Sequence, residues 1–465
     1  MRNIEKFIRD NVPRFEEVLC DFLRIPSVSA DPRHREDMVR AAEWLRKYLE
    51  GIGLDAEVIR PPGSVPAGHP LVYAESEAVP GAPTILVYGH YDVQPADPLE
   101  EWSSPPFEPT RRDGYLVARG ASDDKGQLLT HVFSTEAWLA VYGKLPVKLK
   151  FLFEGEEEIG SATLSAYLRQ DPDRLACDCI VISDTAQFSP GQPAITYALR
   201  GIAYFQLELE GPKTDLHSGQ YGGAVTNPAN ALVMMLGALV DERGRVAIPG
   251  FYEAVRPISE EERQMLGLLP FDEDVFFERL GVDGGSGEAG FTVLERLWVR
   301  PSFDISGLTA GYQGAGAKTI IPSRATAKFS FRLVPDQDPK KIALLAEEYL
   351  RKICPPGIRM KLALLAQCPA LALSLRSPWV DAARRAIEAG FGCPPVFVRS
   401  GGSIPIINQL YQSLRAYVLL VGWGQESDNA HGPNERFSLA DFHRGIRTSC
   451  HLWQELANVE VKDSE

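Results

Sequence analysis

The chain contains no unbroken apolar run of the roughly 18 residues a membrane-spanning helix requires. Its opening, Met1-Arg2-Asn3-Ile4-Glu5-Lys6-Phe7-Ile8, holds no apolar core of signal-peptide length. Cysteine is scarce: seven in 465 residues, an odd number scattered along the chain. That argues against a disulfide framework and for a reducing compartment, so a cytoplasmic location is expected. Cys177 and Cys179 flank Asp178 at the start of an apolar run with no second cysteine pair, and read as strand residues rather than metal ligands. Positive charge is also short, 48 basic residues against 62 acidic ones for a net −14, which speaks against nucleic acid and anionic membrane as partners. Neither an internal repeat nor a low-complexity tract is present. With 45% apolar and 24% charged residues, the composition is that of a globular protein long enough for two domains.

What the chain does have is a recurring grammar. Thr84-Ile85-Leu86-Val87-Tyr88-Gly89 is too short for a helix and stops on His90, with Asp92 two places later. It reads as a buried parallel strand delivering His90 to its carboxyl end, where open α/β sheets place ligands. The run 116–122 leads to Asp123, 148–153 to the acidic stretch Glu154-Gly155-Glu156-Glu157-Glu158, 180–183 to Asp184, and 417–421 through a glycine-rich loop to His431. Helical spacing is expected over 2–24, with Pro13 marking a break or kink, and over 35–51. These features predict an α/β domain with a mixed sheet and helices on both faces, built from 1–200 and 376–465.

From about 201 the pattern changes to strand 203–211, helix 228–242, strands 305–312 and 324–334, helix 339–353 and strand 357–366. This βαββαβ order predicts a smaller α+β domain over 201–375, inserted in the larger one and itself interrupted over 243–304. The stretch Gly281-Val282-Asp283-Gly284-Gly285-Ser286-Gly287 reads as a surface loop, because a phosphate loop requires a strand before it and a helix after it.

Two histidines and three carboxylates on five separate strand ends are hard to ascribe to solvation alone. Such acids repel one another and raise each other's pKa, so a bound cation is their natural neutraliser. Mixed imidazole and carboxylate ligands suit zinc, with manganese or cobalt as substitutes. Five ligands with a central carboxylate can hold two ions about 3.5–4 Å apart.

The motifs His90-Tyr91-Asp92-Val93-Gln94-Pro95, Arg119-Gly120-Ala121-Ser122-Asp123-Asp124-Lys125-Gly126, Glu154 to Ser161, Ser183-Asp184, Leu216-His217-Ser218-Gly219, Lys318 to Pro322, Phe331 to Pro335 and Ala430 to Glu435 span most of the chain. Together they resemble the two-metal aminoacylase and dipeptidase family, in particular its carnosinase-like cytosolic nonspecific dipeptidase branch. The resemblance implies that Asp123 bridges two metals, with His90 and Asp184 completing one site and Glu158 and His431 the other. It makes Glu157 the general base, with Glu156 beside it as the competing register, and sets Asp92 behind His90 to fix its tautomer. It further implies that Arg332 and Ser403, with the Gly401-Gly402 backbone, hold a substrate carboxylate. His217 and Thr319 would reach the partner's cleft in a homodimer formed through the smaller domain, and the Asp123-Asp124 peptide would be cis. Ser400 stands where that branch usually has an acidic residue.

The expected function is hydrolysis of dipeptides or short peptides with a free terminal carboxylate by metal-activated water. Alternatives are an N-acyl amino acid deacylase of the same family and a non-catalytic peptide-binding protein. His34 and His69 are expected at the surface, and His131, His443 and His451 as ordinary surface or core histidines.

Overall fold

The computed structural model describes residues 1–63 and 65–460. The chain forms two compact units. The first comprises Met1–Tyr197, Leu373–Val398 and the chain from Gln409, and the second Ala198–Ala372 with Arg399–Asn408.

The first unit is built on a mixed sheet with strands in the order Asp55–Ile59, Leu71–Glu75, Lys148–Glu154, Thr84–His90, Cys179–Ile182, Tyr417–Leu420 and Ala194–Leu199. The four from Lys148–Glu154 to Tyr417–Leu420 run parallel, with antiparallel neighbours on either side. Ile85, Leu86 and Val87 are all fully buried. Successive strand residues point to opposite faces, so both faces are covered, which is why these strands read as continuous apolar runs. Helices Arg2–Leu23, Lys125–Tyr142 and Leu439–Leu456 pack on one another, with Phe15 stacked on Phe133 at 4.4 Å. Helix Arg2–Leu23 runs through Pro13 without a break.

The expectations for Asp123 and His69 need correction. The run ending at Asp123 is not a strand of the large sheet. Only Tyr115–Val117 is extended, in a separate three-stranded ribbon with Thr110–Arg112 and Arg436–Ser438, and Asp123 arrives on the loop that follows. His69 is buried rather than at the surface, its ring Nε2 3.1 Å from the Ser29 carbonyl and its backbone N–H donating to Glu156 at 2.7 Å.

The second unit carries a four-stranded antiparallel sheet in the order Ser302–Ala310, Arg324–Leu333, Gly201–Glu210 and Arg359–Cys368. Gly201–Glu210 alternates buried and half-buried residues, as expected of a sheet packed on one side. Helices Pro228–Gly237 and Pro339–Ile353 pack on it. The first of these ends five residues before the expected position because Asp241 accepts the N–H groups of Arg243 and Arg245 and closes a turn. The interruption holds three short helices, Glu260–Gly267, Glu273–Arg279 and Val293–Trp298. Segment Arg399–Asn408, expected with the larger domain, groups with this unit, where Arg200 Nε donates to the Gly401 carbonyl at 3.1 Å.

Candidate metal centre and active site

Three elements of the first unit's sheet end together. Thr84–His90 delivers His90, the turn after Lys148–Glu154 delivers Glu157 and Glu158, and Cys179–Ile182 leads to Asp184. The loop entering helix Lys125–Tyr142 supplies Asp123, and its peptide to Asp124 is cis. His431 lies beyond strand Tyr417–Leu420 in a left-handed backbone conformation, φ 65°. Ligand atoms of His90, Asp123 and Asp184 lie within 4.8 Å of one another, and so do those of Asp123, Glu158 and His431. Asp123 belongs to both groups. Its Oδ1 is 3.0 Å from His90 Nε2 and its Oδ2 is 3.0 Å from His431 Nε2. His431 Nε2 is also 3.3 Å from Glu158 Oε2.

Asp92 organises this cluster from behind. Its carbonyl lies 3.1 Å from His90 Nδ1 and its carboxylate 3.4 Å, so Nδ1 carries the proton and Nε2 is left facing Asp123. The same carboxylate accepts the N–H groups of Glu157 and Glu158 at 3.2 Å each and the Ser29 hydroxyl at 2.7 Å. Gln94 Nε2 donates to Glu158 Oε2 at 2.7 Å. Glu156 faces away from the cluster, accepting the N–H groups of His69 and Thr163 at 2.7 and 2.6 Å. Glu157 remains beside His90, Asp184, Glu158 and Asp92, whose charges act on it.

The electrostatics mark a site suited to cations. Burial raises the pKa of Glu157 and of Asp184, and neighbouring carboxylates add to both shifts. Burial also opposes ionisation of Asp123, yet hydrogen bonds from His431 and His90 hold it well below the usual carboxylate range. Hydrogen bonds to Asp123 and Glu158 push His431 up to about 10. Among protein groups alone, two imidazoles would have to neutralise this acid cluster. Two divalent cations suit the donor set better, because imidazole Nε2 atoms and carboxylate oxygens converge from both sides on Asp123.

The remaining predicted residues lie in the second unit. His217 pairs with Ile320 in a two-stranded ribbon, Thr319 directly precedes that second strand, the Ser218 N–H donates to the Thr319 carbonyl at 3.1 Å, and the His217 and Thr319 side chains are exposed. His217 Nδ1 accepts the Gly219 N–H at 3.0 Å, which leaves Nε2 as a proton donor. Arg332 donates to Ser403 Oγ at 3.1 Å, and the Ser403 hydroxyl donates to the Arg200 carbonyl. Burial lowers the pKa of Arg332. Burial also lowers that of Arg200, to about 10, and the Arg332 charge adds to the shift. Sequence reasoning missed Arg200, Ser29, Arg119 and Glu435. Arg119 and Glu435 stood inside quoted motifs, as charged residues set among apolar and glycine positions.

The model of peptidase family M20/M25/M40 matches residues 86–455. Over 446 residues the chain is 34% identical to the Cys-Gly metallodipeptidase dug1 of Schizosaccharomyces pombe, covering 94% of each chain. Among solved structures, human carnosine dipeptidase 1 superposes with a TM-score of 0.86 at 30% identity, covering 98% of this chain and 99% of that one. The M20 metallo-carboxypeptidase Sso-CP2 of Sulfolobus solfataricus gives 0.84 at 33% identity, covering 96% and 99%. The chain belongs to peptidase family M20/M25/M40. It is an enzyme, a peptide hydrolase of the metallodipeptidase type, which removes the non-catalytic alternative.

Proposed function

We propose that the enzyme hydrolyses dipeptides and short peptides with a free terminal carboxylate, using two divalent metal ions per chain, with zinc the first choice and manganese or cobalt as substitutes. The carrying observation is Asp123, whose two oxygens face two separate ligand groups. His90 and Asp184 would complete one ion's ligands, and Glu158 and His431 the other's. When bound, such ions polarise a carbonyl and bring the pKa of water to about 7. Glu157 takes the proton of the attacking water and passes it to the leaving amine nitrogen. Its place beside His90, Asp184 and Glu158, with Glu156 turned away, supports this role. Asp92 holds His90 in the Nδ1–H tautomer and, through two backbone amides, holds the turn carrying Glu157 and Glu158.

Arg332 binds the substrate's terminal carboxylate, with Ser403 orienting the guanidinium. His217, a donor at Nε2, polarises the scissile carbonyl of a partner subunit, with Thr319 beside it. The protein is read as a homodimer formed through the second unit, and as cytoplasmic. The exposed Val233 and Met234 of helix Pro228–Gly237 and Ile305 and Leu308 of edge strand Ser302–Ala310 support the dimer. Seven free cysteines support the reducing compartment.

Likeness to a metallo-carboxypeptidase favours a second reading, removal of the terminal residue from longer peptides. The test is a panel of dipeptides, longer peptides, N-acetyl amino acids and C-terminal amides, run with zinc, manganese and cobalt in turn. Fastest turnover of free dipeptides and none of the amides is expected. Preference for N-acetyl amino acids would instead make the enzyme a deacylase, and preference for longer peptides a carboxypeptidase.

A further inference from the structure

Glu435 and Arg119 are acid and base with almost no access to solvent, 0% and 1% exposed at their side chains, and the chemistry above uses neither. Glu435 Oε2 accepts Arg119 Nη1 at 2.9 Å and the Gly120 N–H at 2.8 Å. Its Oε1 accepts the N–H groups of Ser122 and Asp123 at 2.9 and 3.0 Å. One carboxylate thus gathers three amide donors, those of Gly120, Ser122 and Asp123, from the loop that ends on Asp123. Gly120 makes this wrap feasible: its φ is +82°, and a Cβ there would stand 2.6 Å from Val93 Cγ1. Arg119 carries the link onward, donating from Nη2 to the His431 carbonyl at 3.1 Å and to the Pro95 carbonyl at 3.2 Å. The His431 ring is more than half exposed, and among the described residues its Nε2 faces only the carboxylates of Asp123 and Glu158. His90, by contrast, is buried and held directly by Asp92.

We propose that Glu435 and Arg119 are a positioning pair that fixes the loop of Asp123 against the loop of His431, and so sets the affinity of the ion held by Asp123, Glu158 and His431 more than that of its neighbour. Both side chains are shut off from solvent, so the pair acts through the ligands it holds. It acts by holding two ligand-bearing loops, distant in sequence, at the separation one ion requires. Outer partners of metal ligands typically control affinity by about 10–100-fold. This inference rests on the two-metal reading.

The test is calorimetric titration of metal-free protein with zinc, for the wild type, Glu435→Gln, Arg119→Lys, His431→Ala and the double variant Glu435→Gln/His431→Ala. Glu435→Gln keeps the size of the side chain but loses its charge. Arg119→Lys keeps the charge but loses the fork that reaches His431, and serves if the first variant does not fold. The wild type should bind two ions and His431→Ala one. Each pair variant should weaken, by about 10–100-fold, the binding event that His431→Ala abolishes. The double variant should hold its remaining ion as His431→Ala does. Two wild-type-like events in both pair variants, or equal weakening of both events, would overturn the inference while leaving the two-metal reading intact. At most one ion in the wild type would overturn both.

Discussion

Glu157 and Glu156 are adjacent acids with opposite surroundings, and substitution should separate them. Glu157→Gln should keep its metal and fold but lose about 10²–10⁴ in kcat. Glu156→Gln should lower the melting temperature, since it weakens acceptance from His69 and Thr163, and leave turnover per folded molecule nearly unchanged. A larger kcat loss in the second variant would reverse the assignment. A second residue-scale prediction concerns His131, buried between the hydroxyls of Ser183 and Ser449 and the rings of Trp423 and Trp453. Burial lowers its pKa to about 3. The unfolded chain would protonate it near 6.5. Its contribution to stability is therefore complete above about pH 6.5 and declines as pH falls toward the folded value. Between pH 7 and 5 the wild type should lose ~2 kcal/mol more, in urea unfolding, than His131→Gln loses. Equal losses would show that His131 accepts a proton in the folded state. The metal-type residues were legible because each ended its own motif. Glu435 was not, because its work depends on contacts with residues over 300 positions away, which no local pattern reports.

Helix Lys125–Tyr142 begins against the loop it must position. A Cβ on Gly126 would stand 2.0 Å from the Ala121 carbonyl and 2.6 Å from Phe437 Cδ1, and backbone cannot yield as a flexible side chain can. Gly126→Ala should therefore cost at least about 1–3 kcal/mol and reduce metal content by shifting Asp123. Thermal unfolding and elemental analysis check the two effects, and wild-type values in both would contradict the packing. The elements were legible where burial imposes a period: the parallel strands, buried on both faces, and the alternating strand Gly201–Glu210. They were misread where apolar residues pack from an irregular loop. Leu116, in the short ribbon, and Ala118 and Ala121, in the loop that follows, are fully buried without forming a strand of the large sheet, and an apolar run alone does not distinguish the two cases. Segment Arg399–Asn408 was assigned by position in the chain, whereas its hydrogen bonds to Arg200 and Arg332 place it with the second unit.

At the scale of the whole molecule, the dimer reading makes exposed apolar residues an interface. Met234, 74% exposed, should be sensitive: Met234→Asp is expected to give a monomer by light scattering with at least a tenfold lower kcat. If the wild type is itself monomeric and active, the reading of His217 as a partner's residue fails with it. Mixing Glu157→Gln with His217→Ala through unfolding and refolding should restore activity, because in a heterodimer one site then keeps both groups. Confirmed heterodimers without recovery would place His217 in its own subunit's chemistry. The proposed chemistry depends on Asp123 joining two ions in a working peptidase. The most direct measurement is elemental analysis alongside turnover of metal-free protein reconstituted with zinc. Two ions per chain are expected, with hydrolysis of a free dipeptide appearing as they bind. At most one ion per chain in saturating zinc and manganese, or two ions without peptide hydrolysis, would contradict it.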